Sequence, residues 1–215
     1  MDGPTIQSRV YRGYAIAAGK IGFPADQYRA LDANNPTDVA CKLQTLSASF
    51  NAQDMKYGKP SQYGKPLWYC LIDGTQVQVG DYLIQNDSTF FIAAMQPLLP
   101  ILAVECNRTV TFYRPQQQAG VGAQGYGGNT AANETALAQN WPCSLLQAAK
   151  AANNPVNLPG DAKQASWGLL MPAIPGCVVI KNDDVVIDDL GNRYLVYSAE
   201  LSDLGWRCAL TESET

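Results

Sequence analysis

The sequence has no histidine among its 215 residues. Histidine is the commonest general base, a common neutral metal ligand, and the partner of serine or cysteine in nucleophilic catalysis. The serines lie in neither a G-x-S-x-G nor an S-x-x-K motif. We therefore expect no enzymatic activity, no catalytic residues, no cofactor and no metal site.

Charge is also scarce, since 16% of the residues are charged, against about 25% in a typical globular domain. The chain has 15 basic and 19 acidic residues and a net charge of −4, with no run of lysine or arginine. A nucleic-acid-binding surface needs a basic patch to displace counterions. The composition argues against sequence-specific nucleic-acid binding and suits a protein that packs against neighbouring subunits.

Long apolar runs are missing as well. The longest, residues 90–104, is interrupted by Gln96, Pro97 and Pro100, so it is too broken to span a bilayer. The first four residues contain neither a basic nor an apolar signal region. We expect a protein that is made in the cytoplasm and has no membrane partner.

Six cysteines are spread almost evenly, and no two form a C-x-x-C pair, so a zinc knuckle or a redox motif is not indicated. Buried free thiols are the simpler interpretation, and three disulfides remain open. The cysteines are Cys41, Cys70, Cys106, Cys143, Cys177 and Cys208.

The first segment, residues 1–66, is predicted to hold an N-terminal helix and an extended contact loop. Helical spacing of apolar residues predicts a helix over residues 8–23, with Ser8 as N-cap and Gly22 as the stop. This helix packs on its own domain or docks on a neighbouring subunit. Residues 24–66 are predicted to be irregular and carry a tandem repeat, Tyr57-Gly58-Lys59-Pro60 and Tyr63-Gly64-Lys65-Pro66.

Two β units are predicted further along, at residues 67–115 and 166–215. Short apolar runs separated by turn signals, such as Asp73-Gly74 and Gly191-Asn192, predict five or six strands in the first unit and five in the second. Residues 177–180 are among the predicted strands. The two units resemble each other, because residues 80–84 and 183–187 each lead through a polar turn into a second apolar strand.

Residues 116–165 separate the two units. Their glycine-, alanine- and asparagine-rich composition predicts a linker or an arm that neighbours would order, and residues 134–152 are predicted to form a short helix. The predicted fold class is mainly β with a few helices (α+β). It consists of two small antiparallel β-barrel or sandwich units joined by a glycine-rich segment, after an N-terminal helix.

Three groups of side chains are candidates for chemistry. An acidic cluster could hold general acids or calcium ligands but is predicted to consist of solvated turn residues. Lys42 with Ser47 or Ser49 is a conceivable Ser-Lys pair. The four tryptophans could line a sugar-binding face, although core anchors are the simpler interpretation. The acidic cluster is Asp183, Asp184, Asp188 and Asp189, and the tryptophans are Trp68, Trp141, Trp167 and Trp206.

Several stretches resemble structural proteins of tailed bacteriophages. The motif Tyr11-Arg12-Gly13-Tyr14-Ala15-Ile16-Ala17-Ala18, with Tyr28-Arg29, resembles the N-terminal helix of neck proteins. Gly80-Asp81-Tyr82-Leu83, Pro97-Leu98-Leu99-Pro100 and the stretch from Asn107-Arg108 to Arg114-Pro115 resemble their β middle. Arg193-Tyr194-Leu195-Val196 and Leu204-Gly205-Trp206-Arg207 resemble the closing strands of head–tail connector barrels.

The resemblance implies a virion protein of the connector, stopper or collar type, in a ring between portal and tail. Its expected partners are copies of itself and other neck proteins, namely the portal or adaptor and the tail terminator or tail tube. Two other functions remain open, a baseplate or tail-tip component and a β-sandwich glycan-binding module. A carboxylate-based hydrolase would use Asp184 and Asp188.

Overall fold

The computed structural model describes residues 2–52, 65–116, 133–147 and 166–213, and its first element is helix α1, Gly3–Ile21. The Asp2 carboxylate caps the helix by accepting a hydrogen bond from Thr5 N at 3.3 Å. Gly22 ends it, donating its N–H to Ala18 O at 2.8 Å. The predicted stop is confirmed. The prediction of Ser8 as N-cap is wrong, because Asp2 caps the helix earlier and Pro4 fits its first turn.

The next six strands form a closed antiparallel barrel, called here the first barrel. Its strands lie in the order β1-β2-β3-β6-β5-β4, and the β1–β4 pairing closes it. The strands are β1 Phe23–Tyr28, β2 Lys42–Ala52, β3 Leu67–Leu71, β4 Tyr82–Gln85, β5 Ser88–Ala94 and β6 Ile101–Cys106.

The remaining strands form the second barrel, in the cyclic order β7-β8-β9-β12-β11-β10, closed by the β7–β10 pairing. The two barrels have the same strand order, so β7 occupies the position of β1, and each later strand likewise corresponds to the strand numbered six lower. The strands are β7 Arg108–Pro115, β8 Glu134–Gln147, β9 Ser166–Met171, β10 Val185–Asp188, β11 Arg193–Ser202 and β12 Gly205–Glu212. The predicted fold class, mainly β with two small barrel units and an N-terminal helix, is confirmed.

The likeness of the two barrels extends to individual hydrogen bonds. The Asp81 carbonyl accepts a hydrogen bond from Ile92 N, and the Asp184 carbonyl accepts one from Val196 N, both at 2.9 Å. The pairing register then shifts directly after Ile92 and directly after Val196. The sequence similarity of residues 80–84 and 183–187 therefore corresponds to equivalent positions in two copies of one topology.

The barrels share a hydrophobic core. One cluster draws buried side chains from every strand of the second barrel and also takes Tyr82, Phe91, Ala93 and Val104 from the first. Tyr82 is fully buried and donates its hydroxyl to Pro142 O at 2.7 Å. Trp141 donates its Nε1–H to Ala33 O at 2.8 Å. A separate cluster fills the first barrel, with Tyr11 of α1 packed against it.

Several sequence predictions are wrong. Residues 24–52 contain β1 and β2 rather than an irregular loop, and β7 belongs to the second barrel rather than to the first unit. Residues 134–147 form strand β8 rather than a helix, because they pair with both β7 and β9. Asp73-Gly74 is no hairpin turn, since β3 pairs with β2 and β6. Residues 177–180 form turns and irregular backbone.

Other predictions fall on residues that the structure does not describe. Most of the tyrosine-glycine-lysine-proline repeat, at residues 57–64, lies outside the described residues, as do residues 117–132 of the glycine-rich segment and residues 148–165.

The turn predicted at Gly191-Asn192 is confirmed. It joins β10 to β11, and Gly191 has a φ of 84°.

Candidate assembly surface

The acidic cluster divides into two buried and two exposed carboxylates. Asp184 is 2% exposed and accepts hydrogen bonds from Arg114 Nε and Nη2, both at 2.8 Å. Asp188 accepts from the backbone N–H groups of Leu190 and Asn192 and holds the β10–β11 turn. The prediction of solvated turn residues is therefore wrong for this pair. Asp183 and Asp189 are exposed, as predicted.

An equivalent ion pair holds the first barrel. Asp81 is fully buried and accepts hydrogen bonds from Arg29 Nε at 2.7 Å and Nη2 at 2.8 Å. The hydrogen bond to the carboxylate raises the pKa of the Arg29 guanidinium. Because Arg114 and Asp184 occupy the same positions in the second barrel, both pairs belong to the repeated framework.

The Ser-Lys pair does not form. The Lys42 ammonium binds the Asp26 carboxylate at 2.5 Å. Ser47 and Ser49 lie five and seven residues further along the same strand, about 16 Å or more away at roughly 3.3 Å per residue. Among the described residues, no three cysteine, aspartate or glutamate side chains come together as a metal site would require.

The tryptophans do not form a common face. Trp141 and Trp206 are buried in the shared core. Trp68 lies edge-on to Phe90, and Trp167 lies edge-on to Tyr194. Since a sugar-binding platform needs aromatic faces open to solvent, these positions fit core anchors.

All six cysteines are free thiols. Burial raises the pKa of Cys208 to about 12 and raises those of Cys70, Cys106 and Cys143 as well. Cys177 alone is exposed. The question that the sequence left open is answered, because no disulfide links the barrels.

The surface of α1 offers a different kind of site. The helix lies on β2 and β3 and buries one residue completely, Ala18. Its inner face holds it in place, since Tyr11 packs on the core of the first barrel and Gln7 Oε1 accepts a hydrogen bond from Leu98 N at 2.6 Å. A helix of 19 residues that buries one of them leaves most of its surface free for another contact.

The outward face of α1 is basic with an apolar centre. Arg12, Ile16 and Lys20 follow at helical spacing and all are exposed, Ile16 to 59%. Gly13 and Gly19 lie beside them with open space where a Cβ would be. Phe23, at the start of β1, is also exposed. Such a face is suited to a partner that brings carboxylates around an apolar contact.

A second exposed surface is the loop between β1 and β2, residues 29–41. Its apolar side chains Leu31 and Val39 are 67% and 88% exposed. Asp32 accepts a hydrogen bond from Asn34 N and Asn35 accepts one from Thr37 N, and Ala33 O accepts from Trp141 Nε1 of the second barrel, so the loop is held from within and from outside. It presents apolar side chains on a fixed frame.

Comparison of the chain with protein-family profiles, with curated proteins and with solved structures finds no match. In the described parts of the chain no helix combines the length and hydropathy needed to cross a bilayer. The geometry therefore defines a tandem double barrel whose exposed apolar surfaces include α1 and the β1–β2 loop, both of them ordered.

Proposed function

We propose that the chain is a structural virion protein of a tailed bacteriophage and forms part of an oligomeric ring at the head–tail neck, as a connector or collar subunit. Its partners are copies of itself and the adjoining neck proteins, namely the portal or adaptor and the tail terminator or tail tube. The motifs that resemble neck proteins suggest this role, and the architecture supplies physical support.

The observation that carries the proposal is the pair of exposed apolar surfaces on ordered elements. Exposed apolar side chains that lie together on an ordered backbone and are rimmed by polar residues are typical of protein interaction sites. Ile16 and Phe23 on one side and Leu31 and Val39 on the other are all more than half exposed. They lie on α1 and around a barrel frame that buried ion pairs hold, so an incoming subunit would meet preformed surfaces.

The shared core of the barrels supports the same proposal. A ring around a channel has to keep its shape when neighbouring proteins bind, which favours a rigid subunit over two loosely linked domains. Tyr82 and Trp141 join the barrels by hydrogen bonds within that core. Repeated contacts between identical rigid subunits add up around a closed ring.

Immunogold electron microscopy tests the proposal on particles released by the cell that encodes the chain. We expect label at the junction of head and tail, and the chain in the mass spectrum of the purified particles. Label at the distal tail would favour a baseplate or tail-tip component. Absence of the chain from purified particles would contradict a virion role and would make a glycan array on the isolated protein the next experiment.

A further inference from the structure

We propose that the outward face of α1 docks on the β1–β2 loop of a second copy of this chain, in a head-to-tail contact that repeats around the assembly. The contact rests on the proposed ring function, for which it names the surfaces. The α1 face is defined by Arg12, Gly13, Ile16, Gly19 and Lys20, and the acceptor loop by Leu31, Asp32, Asp38 and Val39.

Charge complementarity carries the inference. Between Gly3 and Ile21, α1 has three cations, Arg9, Arg12 and Lys20, and no acidic residue. From residue 30 to residue 41 the acceptor loop has two carboxylates, Asp32 and Asp38, and no cation. Within the described residues, neither Arg12 nor Lys20 forms an ion pair with an acidic side chain.

Among the described residues, the carboxylates of the acceptor loop likewise form no ion pair. Asp32 accepts hydrogen bonds from Asn34, and Asp38 accepts one from Asn35 Nδ2 at 3.0 Å. These bonds fix the carboxylates and leave their charge uncompensated in the described part of the chain. The two nearest cations along the chain are engaged elsewhere, Arg29 with Asp81 and Lys42 with Asp26.

The apolar parts match as well. Val39 and Leu31, the two most exposed large apolar side chains of the described residues, lie next to Asp38 and Asp32 in sequence. On α1, Ile16 lies between Arg12 and Lys20, which are about 12 Å apart at 1.5 Å per residue. Each surface therefore combines two like charges with apolar contact area, and the signs are opposite.

The two surfaces are different parts of the molecule, which makes the contact head-to-tail. One surface lies on α1, which ends at Ile21 before β1, and the other lies on the loop that follows Tyr28, the last residue of β1. A contact between two different surfaces is heterologous. It closes into a ring when the rotation that relates neighbouring copies divides a full turn.

The β11–β12 hairpin is a weaker acceptor. It exposes Leu201 and Leu204 with Glu200 and Asp203, but Arg207 lies directly opposite Glu200 in the pairing and offsets its charge. This hairpin therefore serves as the matched control for a change of charge on an exposed apolar surface.

Charge reversal on the full-length chain tests the contact by sedimentation velocity over a range of concentrations. The helix variant is Arg12→Glu with Lys20→Glu, and the loop variant is Asp32→Lys with Asp38→Lys. Each variant places like charges on both surfaces, so we expect self-association at least about tenfold weaker than in the wild type. The control, Glu200→Lys with Asp203→Lys, is expected to assemble as the wild type does.

Mixing the variants gives the sharper result. In an alternating assembly the acidic helix of one variant meets the basic loop of the other, and the remaining contacts are wild-type. An equimolar mixture is therefore expected to regain wild-type association, which would also show that both variants fold. Val39→Ser, which leaves every hydrogen bond of the loop in place, is expected to weaken association without changing the thermal midpoint.

Two results overturn the docking contact while leaving the proposed function intact. One is wild-type association of both reversal variants. The other is a wild-type chain that stays monomeric at every concentration yet enters a ring together with portal or tail proteins. Failure of the mixture to regain association, with both variants folded by circular dichroism, would also contradict the contact.

Discussion

At the scale of single residues, two buried carboxylates define the framework. Asp81 accepts hydrogen bonds from Arg29, from Gln27 Nε2 at 2.6 Å and from Gln78 N at 2.9 Å. Asp184 repeats this pattern with Arg114 and with Lys181 N at 2.7 Å. Each carboxylate joins the end of the first strand of its barrel, where its arginine lies, to the loop before the fourth strand, so the buried charge stabilises the fold.

Asp81→Asn and Asp184→Asn are each expected to lower the free energy of unfolding by about 2–4 kcal/mol. The amide carries no charge for the arginine, and its NH₂ group meets donors where the carboxylate oxygen accepted. Urea denaturation measures the change. Asp26→Asn is the control, because its pair with Lys42 is exposed and screened by water. An equal loss in all three variants would contradict this account of the framework.

Thiol chemistry gives a second test at the residue scale. At pH 8 we expect one fast-reacting thiol of six in the native protein. Cys177 is exposed, Cys41 is buried, and burial raises the pKa values of Cys70, Cys106, Cys143 and Cys208. A thiol-specific chromogenic reagent counts it, and all six are expected to react in denaturant. Cys177→Ser should remove the fast phase; several fast thiols would contradict the burial.

At the scale of elements, α1 carries glycines with opposite roles. Gly13 lies on the outward face with open space around it, so Gly13→Ala is expected to stabilise the helix by about 0.5–1 kcal/mol. Gly22→Ala is expected to destabilise the protein by about 1–3 kcal/mol, because its Cβ would lie 2.5 Å from Ala18 O and 2.7 Å from Ala48 O. Thermal denaturation measures both, and stabilisation by Gly22→Ala would contradict the observed packing.

The elements also show what the sequence can and cannot reveal. Strands β4, β5 and β10 follow from apolar runs beside strong turn signals, and their place in the barrel repeat follows from the similarity of residues 80–84 and 183–187. Strand β8 could not be predicted, because Thr135 to Ala138 favour a helix locally and only pairing with β7 and β9 makes them a strand. Closure of each barrel likewise depends on a pairing between strands that are far apart in sequence, β1 with β4 and β7 with β10.

The candidate surfaces were less predictable than the strands. The apolar spacing predicted the helix, and docking on a neighbouring subunit was one of its two predicted roles. Which face of the helix stays exposed depends on tertiary contacts such as the hydrogen bond from Leu98 N to Gln7 Oε1. From the sequence, the acceptor loop was only part of the stretch predicted to be irregular, residues 24–66. Exposure of Leu31 and Val39 results from how the loop is folded, and composition does not encode it.

At the scale of the whole molecule, one hydrophobic core takes side chains from both barrels. We expect thermal unfolding in a single transition, with the same midpoint by tryptophan fluorescence and by far-ultraviolet circular dichroism. Trp68 reports on the first barrel, and Trp141, Trp167 and Trp206 report on the second. Two separated transitions would contradict the coupling of the barrels through the hydrogen bonds of Tyr82 and Trp141.

The same rigidity fits a subunit that repeats around a channel. In the proposed ring, the exposed α1 face and the acceptor loop have opposite charge, so each copy binds one neighbour and is bound by another. Such a contact is weak for one pair because exposed ion pairs contribute little, and it gains strength when the ring closes. We therefore expect assembly to weaken as salt is added.

Light scattering of the purified chain, alone and together with candidate portal and tail proteins, measures the central claim most directly. The account predicts a particle that holds several copies of the chain, formed by the chain itself or on addition of those partners. A single chain at every concentration, unchanged by all of them, would contradict the claim that this double barrel is a ring subunit.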